Sequence, residues 1–495
     1  MPPKGINDMS FDSRSFRYVL LLLTCWYGMM TLAANKRIYV LADIHVMAPS
    51  LLDTPENKAW QEELEEKKTM QDLSVPIFDT LVETIKEDKP DILLIVGDLT
   101  KAGELESHQY VINKLTEIKS SGISVYVIPG NRDRGYMEDA RRYINDSYVD
   151  AEMINNDTFA MIYEDFGYGS TSERYKQSLT YSAQPFKGLT LIGLDDGIWA
   201  TPNNDVIDWI CKKAQEANVR GDQVLMMTHH AIMPHYIGQD EIFELSIIGN
   251  YQQVRQKLMD AGINVVLTGH SHVSDIARYI DSEGHEIYDV ATGSPISYPC
   301  DYRILTLNDP FTRLDIKTST VDRLENYDDF PSEAQHRLRE SVTLWAEKWL
   351  YNRFEYRTIS TMLAPEVASC FLIYAEGNEP ENPETPYELN LFKVAQEDIA
   401  PRLGDEFVNA LNTMAKTFKS MLGDYQTEED INNIVDDRTL NIEMPSLASG
   451  IITTNLQHSP DDDQWYTIQG IRLSQKPSKA GVYIHNGKKA IIQGL

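Results

Sequence analysis

The stretch DILLIVGDLT, residues 91–100, decides the fold of this chain. It contains five consecutive aliphatic residues, Ile92 to Val96, followed directly by Gly97 and Asp98. A run of this length is too short for a helix and is typical of a parallel strand buried on both faces. Gly97 permits a sharp turn. Asp98 is therefore expected at the carboxyl end of the strand, where open α/β sheets bind their ligands.

The same arrangement occurs four more times. Apolar runs at 38–42, 125–128, 224–227 and 265–268 each end in polar side chains of the kinds that bind metal ions. One such strand end is usually only a turn, but a turn does not explain five of them. We therefore predict one shared metal centre. Its candidate ligands are Asp43, His45, Asp98, Asn131, His229 or His230, His270 and His272.

The chemistry of these side chains restricts the metal. No cysteine is among them, which excludes a structural zinc finger and an iron–sulfur cluster. Imidazole together with carboxylate and amide oxygen suits Mn, Fe, Zn, Ni or Co. Seven ligands are too many for one such ion and fit two divalent ions that share a carboxylate. Two-metal sites clamp the attacking and leaving oxygens of a phosphoryl group.

Five motifs resemble, in the same chain order, those of the calcineurin-like metallophosphoesterase family. They are Asp43-Ile44-His45, Gly97-Asp98, Gly130-Asn131-Arg132-Asp133, Thr228-His229-His230 and Gly269-His270-Ser271-His272. The resemblance covers residues 37 to about 319 and implies an αββα sandwich. It also implies hydrolysis of a phosphodiester or phosphomonoester by attack of a metal-bound hydroxide. Segments 162–168 and 291–294 are similar to a subgroup around cyclic-nucleotide phosphodiesterases.

The resemblance also implies a role for each ligand. Asp43, His45 and His272 would bind the first ion. Asn131, His229 and His270 would bind the second ion, and Asp98 would bridge the two. We prefer His229 to His230 because it lies nearer the end of its strand.

The chain departs from the family pattern at Arg132, where the third motif normally has a histidine. The resemblance implies a catalytic role at this position, in helping the leaving group or stabilising the transferring phosphoryl group. Arginine cannot give up a proton at working pH, although it can bind phosphate oxygens through its planar donors. The alternative function is a metal-binding surface protein with little or no turnover. Lys101 replaces the iron-binding tyrosine of purple acid phosphatases, so an Fe(III)–tyrosinate centre is not expected.

The net charge of −30 argues against a nucleic-acid partner. A nuclease is therefore disfavoured, and a small phosphate ester is the expected substrate. The 495 residues are enough for two to four domains. We expect a signal peptide at 1–34, the phosphoesterase domain at 35–319, a mainly helical domain at 320–445, and a linker with a β-hairpin tail at 446–495. The sequence does not indicate an oligomeric state.

Strands and helices alternate through the first half of the chain, which predicts right-handed crossovers and a parallel sheet. Helical stripes of apolar residues run through 77–85, 111–118 and 254–258. Later strands at 286–292, 302–307 and 312–318 have no helices between them. We expect these later strands to form an antiparallel edge or a second sheet.

The two ends of the chain favour export. Lys4, Arg14 and Arg17 precede an apolar run at 18–32, which is followed by small residues suited to cleavage. The run is shorter than the ~20 residues that span a bilayer, so a cleaved signal is preferred to a lipid anchor at Cys25 or an uncleaved anchor.

The C-terminal segment contains Asn486-Gly487 between two apolar runs, which predicts a hairpin with a type I′ turn. Together with Trp465 to Gly470, it resembles the sorting tails of Gram-negative proteins exported by type IX secretion. The resemblance implies a periplasmic, cell-surface or secreted protein that contacts the outer-membrane secretion machinery. The alternative is a terminal hairpin that closes the fold.

Overall fold

The computed structural model describes residues 35–134, 140–239, 243, 245–377, 389–423, 431–433 and 436–444, and four short strands between 465 and 492. The chain divides into two compact units, 1–447 and 448–495. The predicted signal peptide at 1–34 lies outside the described residues.

Two β-sheets form the centre of the first unit. The strands are β1 (Lys36–Leu41), β2 (Ile92–Val96), β3 (Ser124–Ile128), β4 (Arg141–Ile144), β5 (Ser147–Asp150), β6 (Ser172–Arg174), β7 (Tyr181–Phe186), β8 (Leu189–Gly193), β9 (Gln223–Met227), β10 (Val265–Thr268), β11 (Asp275–Ile280), β12 (Glu286–Ala291), β13 (Asp301–Leu307), β14 (Arg313–Thr320), β15 (Ile431–Asn433) and β16 (Thr439–Glu443). The first sheet has the order β16-β14-β13-β1-β2-β3, and the second has the order β15-β11-β12-β10-β9-β8-β7-β6. Strands β4 and β5 pair only with each other.

The helices that the structure describes connect these strands and follow them. They are α1 (Lys58–Glu66), α2 (Ser74–Asp88), α3 (Leu105–Ser120), α4 (Asn156–Ile162), α5 (Asn204–Arg220), α6 (Tyr251–Asp260), α7 (Phe330–Phe354), α8 (Arg357–Glu376), α9 (Asn390–Val394) and α10 (Asp405–Met421). Gly221 ends α5 in the left-handed conformation, as a glycine after a helix commonly does.

The sheets stack face to face between two helical layers. Leu225 and Met227 of β9 belong to the core that the two sheets share, whereas Val224 and Met226 face α5 and α6. This alternation follows from the two-residue period of a strand. Helices α2 and α3 cover the other face of the first sheet with their apolar stripes. The predicted αββα architecture is therefore confirmed.

Strand β2 is the central parallel strand that the sequence predicts. All five of its residues are buried, and it pairs in parallel with β1 on one side and with β3 on the other. The strands that alternate with helices are divided between the two sheets of the sandwich. Strands β9 and β10 lie in the second sheet, and β13 pairs antiparallel with β1 in the first.

The later strands are divided between the two sheets. β13 and β14 extend the first sheet in the antiparallel sense. β12 lies inside the second sheet, parallel to β10 and antiparallel to β11, so the second-sheet alternative holds for this segment. A strand buried on both faces has the same apolar sequence pattern in either sheet. The sequence therefore does not show which strands it pairs with, and tertiary packing decides this.

Helices α7 and α8 begin the predicted helical region. Only two residues separate them, and Val342 and Ala346 of α7 share a core with Leu363 and Val367 of α8. The same core includes Tyr236 and Val273, from the loops after β9 and β10. The helical region therefore packs directly against the loops that carry the candidate histidine ligands.

Among the described residues, α8 alone has the length and apolar composition of a membrane-spanning helix. Most of its apolar window is buried inside the protein. Such burial is typical of a core helix.

The second unit contains four short strands: β17 (Trp465–Thr467), β18 (Arg472–Leu473), β19 (Gly481–His485) and β20 (Lys488–Ile492). They form one antiparallel sheet in the order β18-β17-β19-β20. His485 pairs with Lys488, while the two turn residues between them lie outside the described residues. The sorting role of this segment stays a prediction.

Candidate metal centre

The carboxyl ends of β1, β2, β3, β9 and β10 converge where the two sheets meet. Three of the candidate ligands form a first group there. His272 Nε2 lies 3.3 Å from Asp43 Oδ1, and His45 Nε2 lies 3.8 Å from the same oxygen. The two imidazole nitrogens are 3.1 Å apart. These atoms can converge on a single ion.

A second group lies beside the first. The amide oxygen of Asn131 is 3.0 Å from His229 Nε2 and 3.1 Å from His270 Nδ1. All three side chains end on this one point, although they follow strands of two different sheets.

Asp98 lies between the two groups. Its Oδ2 atom is 3.7 Å from His45 Nε2 in the first group and 3.4 Å from His229 Nε2 in the second. Its Oδ1 atom accepts a hydrogen bond from the backbone N–H of Arg132 at 2.7 Å. Asp98 therefore lies within reach of both groups.

The donor atoms fit divalent cations. Asp43 Oδ1 is buried and has no hydrogen-bond donor among the described residues, although imidazole nitrogens surround it at 3.3 to 4.0 Å. A buried carboxylate oxygen without a donor is costly, and a cation would remove that cost. The mixed nitrogen and oxygen donors match the preferences of first-row divalent ions.

The backbone of the ligands is strained. Five of the seven have positive φ angles: Asp43 (53°), His45 (40°), Asp98 (50°), His270 (64°) and His272 (60°). Non-glycine residues rarely adopt this left-handed conformation, and it costs of order 1–3 kcal/mol per residue. Such strain is concentrated at functional sites, where the surrounding fold holds it in place.

Two glycines allow the ligands to approach each other. A Cβ atom on Gly130 would lie 2.2 Å from Asp98 Oδ1, and one on Gly97 would lie 2.3 Å from His229 Nδ1. Any larger residue would displace these two ligands. The glycines of the second and third motifs are therefore needed for close packing around the metal centre.

His229 is oriented as a metal ligand. Its Nδ1 atom lies 3.0 Å from the Val96 carbonyl oxygen, to which it can donate, and this leaves Nε2 facing Asp98 and Asn131. Burial opposes the charged form, but Asp98 and Asp43 outweigh it and raise the pKa of His229 to about 10. Metal binding must displace that proton.

His230 is held differently. Its Nδ1 atom lies 3.1 Å from Asp196 Oδ2, and its ring centroid is 4.3 Å from that of His270. His230 nevertheless shares a group of potential metal donors with His229 and His270, whose donor atoms all lie within 4.8 Å of one another. The preference for His229 as the ligand stays a prediction.

Two carboxylates that support the site were not predicted. Asp133 accepts hydrogen bonds from the backbone N–H groups of Gly130, Leu99 and Thr100, and thereby ties the loop after β2 to the loop after β3. Asp196 follows β8. The sequence indicates this position, because Asp195 and Asp196 are polar residues that follow an apolar run, as the predicted ligands do.

A cavity of about 780 Å³ opens above the metal centre. Predicted ligands of both groups line it, together with Arg132, which is half-buried. Leu338 and Val342 of α7 and Phe371 and Tyr374 of α8 also line it. The helical region therefore helps to enclose the site.

Lys101 also lines this cavity. Its Nζ atom is 2.7 Å from Glu63 Oε1, and its side chain is almost fully buried. Lys101 therefore forms a buried ion pair with Glu63.

Known proteins support this interpretation at the family level. The sequence model of the calcineurin-like phosphoesterase family matches residues 36–274. No protein of curated function matches the chain in sequence.

Similar solved structures include a dimetal phosphatase from Danio rerio, with 12% identity, 57% of this chain and 95% of that chain covered, and a TM-score of 0.39. A purple acid phosphatase from yellow lupin (Lupinus luteus) shares 12% identity over 60% of this chain and 53% of its own, with a TM-score of 0.37. A phosphopantetheinyl hydrolase from Mycobacterium tuberculosis shares 10% identity, with 53% of this chain and 91% of that chain covered and a TM-score of 0.26. The match of the calcineurin-like phosphoesterase family model at residues 36–274 spans all seven predicted metal ligands.

Proposed function

We propose that this protein is a dinuclear metal-dependent phosphoesterase that hydrolyses a phosphodiester or phosphomonoester. The position of Asp98 between two groups of nitrogen and oxygen donors carries the proposal. One carboxylate that faces both groups is what a pair of ions requires. The cavity above it admits an organic ester.

The predicted ligands would bind two metal ions. Asp43, His45 and His272 would hold one ion, Asn131, His229 and His270 the other, and Asp98 both. Two bound divalent ions would supply Lewis acidity toward phosphate oxygens and lower the pKa of a coordinated water from 15.7 toward ~7. The imidazoles must be neutral to act as ligands, so acid weakens the site.

Arg132 would bind the phosphoryl group rather than protonate the leaving group. Its guanidinium offers fixed charge and several donors to phosphate oxygens, but it keeps its proton at working pH. Among the described residues that line the cavity, the histidines are all predicted ligands. The leaving group therefore depends on its own acidity or on water.

The rival function is a metal-binding protein without turnover, and Arg132 in place of the motif histidine is the feature that favours it. The deciding assay offers metal-loaded protein bis(4-nitrophenyl) phosphate and 4-nitrophenyl phosphate, with a chelator control. Turnover that the chelator abolishes and a metal restores supports the phosphoesterase. Two tightly bound ions without turnover of either ester support the rival.

Asp98→Asn provides the internal test of the site. We expect it to lower activity by at least ~100-fold and to reduce metal content, because one carboxylate serves both ions. Asp208→Asn is the matched control, since Asp208 is an exposed residue of α5 that pairs only with Lys257 among the described residues. Normal content of both metals in Asp98→Asn would contradict the bridging role.

We also propose that the protein acts outside the cytoplasm. Support comes from the charged and apolar pattern of residues 1–34 and from the hairpin pattern near residues 482–492. N-terminal sequencing of the mature protein after fractionation tests this proposal. A start near residue 35 supports export, and Met1 in the cytosolic fraction contradicts it.

A further inference from the structure

Lys68 lies on the cavity wall, in the segment between α1 and α2. Its Nζ atom is 4.3 Å from the ring centroid of Trp345, 5.4 Å from that of Phe243 and 6.0 Å from that of Phe371. We call these three rings the aromatic box. Each ring comes from a different element: the loop after β9, α7 and α8.

The aromatic box is a packed structure. Phe243 stacks on Trp345 with ring centroids 5.9 Å apart, and Phe371 meets both rings edge-on at 5.7 and 5.5 Å. Each ring restricts the others, and together they fix the position of the Lys68 ammonium. A cation over aromatic faces gains only ~0.5–2 kcal/mol.

The aromatic box does not provide a counter-ion. No carboxylate oxygen of the described residues lies within 4 Å of Lys68 Nζ, and burial among apolar groups lowers the pKa of Lys68 to about 8. Its cationic neighbours on the cavity wall differ in this respect. Lys101, Arg141 and Lys67 lie 2.7, 3.3 and 3.8 Å from oxygens of Glu63. Among the described residues, Lys68 is therefore held by aromatic rings and not by a carboxylate.

The cavity is also larger and more apolar than a phosphate group needs. Its volume of about 780 Å³ lies within the ~300–1,000 Å³ range of pockets for organic ligands. The large apolar or aromatic side chains that line it include Tyr236, Tyr298, Leu338, Val342, Phe371 and Tyr374. A substrate that fills this space has an aromatic or aliphatic body between the metal centre and the box.

We propose that the substrate is a phosphoester with an aromatic or aliphatic body and a second anionic group, a carboxylate or a phosphate, which Lys68 binds. The proposal rests on the proposed function for the reacting phosphate. The second anion would complete a charge-assisted hydrogen bond in partly dehydrated surroundings, which is stronger than one in open water. Lys68 is then a specificity residue of the same site.

The kinetic test uses matched esters with one common leaving group. 4-Nitrophenyl phenyl phosphate is compared with analogues whose phenyl ring carries a 4-carboxylate or a 4-phosphonate, and with a 4′-carboxybiphenyl analogue of longer reach. We expect wild-type kcat/KM to favour at least one anionic ester by ~10-fold or more, mainly through KM, as for a charge-assisted hydrogen bond. The carboxylate and phosphonate arms show which anion is preferred.

The variants separate charge from packing. Lys68→Met keeps the length and the contact with the rings but removes the charge, so we expect kcat/KM for the anionic esters to fall to the value for the phenyl ester. Lys68→Arg keeps the charge and should restore most of the preference. Lys58→Met is the control, because the Lys58 side chain is 75% exposed.

A binding measurement separates this inference from the phosphoesterase activity. Biphenyl-4-carboxylate is titrated into chelator-treated protein, with tryptophan fluorescence as the signal because Trp345 lies against Lys68. Trp345→Phe identifies the contribution of that ring. Saturable binding that Lys68→Met abolishes supports the anion site even if no ester is hydrolysed.

Two results would overturn the inference. One is turnover of all the esters with no preference for an anionic analogue. That result would support the phosphoesterase activity and contradict the anion site. The other is an equal effect of Lys68→Met on neutral and anionic esters, with no loss of carboxylate binding. That result would indicate that Lys68 has a purely structural role.

Discussion

His229 Nε2 lies 3.4 Å from Asp98 Oδ2, although His229 follows a strand of the second sheet and Asp98 a strand of the first. The metal centre therefore spans the junction of the two sheets. The first sheet supplies Asp43, His45, Asp98 and Asn131, and the second supplies His229, His270 and His272. The complete site exists only when the sheets are packed together, so bound metal must stabilise the folded protein.

Gly130→Ala should weaken metal binding without removing any ligand. The new Cβ atom would lie 2.2 Å from Asp98 Oδ1, so the bridging carboxylate must move. We expect a loss of ~10–100-fold in metal affinity, as for other changes that misplace a ligand. Competition with a chromogenic chelator measures the metal affinity of each variant. The control is Gly284→Ala, whose Cβ would meet no atom within 4 Å; equal affinities in both variants would show that Asp98 shifts without cost.

His229→Ala should be more harmful than His230→Ala. The first removes a ligand that faces Asp98, and should cost about one equivalent of bound metal and ~100-fold or more in activity. The second removes a ring that Asp196 holds against His270, so we expect a smaller loss of ~10-fold. Asp196→Asn should resemble His230→Ala. Elemental analysis with initial rates decides the order, and the reverse order would exchange the two roles.

Arg132→His should change which esters react. A histidine at this position can donate a proton, and general acid catalysis is worth ~10²–10⁴ in rate when the leaving group is poor. We expect the turnover of alkyl phosphate esters to rise relative to that of nitrophenyl esters by ~10-fold or more. Arg132→Met is the control for loss of charge alone. If Arg132→His lowers both classes of ester equally, arginine is an adapted phosphate clamp.

His235 should make stability depend on pH. Its nitrogens lie 3.2 Å from Asp275 Oδ1 and 3.5 Å from Asp289 Oδ2. Burial opposes the charged form, but the two carboxylates outweigh it and raise the pKa of His235 to about 10. Because the folded pKa is raised, the stabilisation is complete below the unfolded value of ~6.5 and is lost as pH rises toward 10.

We therefore expect the melting temperature of the metal-free protein to fall by ~3 °C or more between pH 6.5 and pH 10. His235→Gln should melt lower at pH 6.5 and show a shallower decrease. His336→Gln serves as the control, because His336 lies exposed on α7. Parallel curves for the wild-type protein and His235→Gln would show that the ion pairs contribute nothing to this dependence.

Most of the candidate site could be predicted from the sequence, because its signals are local. A buried strand reads as an apolar run, and the residue type that follows it does not depend on the rest of the fold. Asp98 and His270 were recognised in this way, and the family match at 36–274 agrees with it. Asp196 carries the same signal after β8.

The tertiary structure decided how these segments meet. Apolar runs of equal length fit either sheet, so the sequence could not show that β9 and β10 leave the sheet of β1 to β3, or that β12 lies inside the second sheet. Lys68 reaches its aromatic box only because Phe243, Trp345 and Phe371 arrive from three distant elements. Local pattern determines which residues can bind a metal or a phosphate, whereas the packing of whole layers determines which of them share a cavity, because those contacts join residues far apart in the chain.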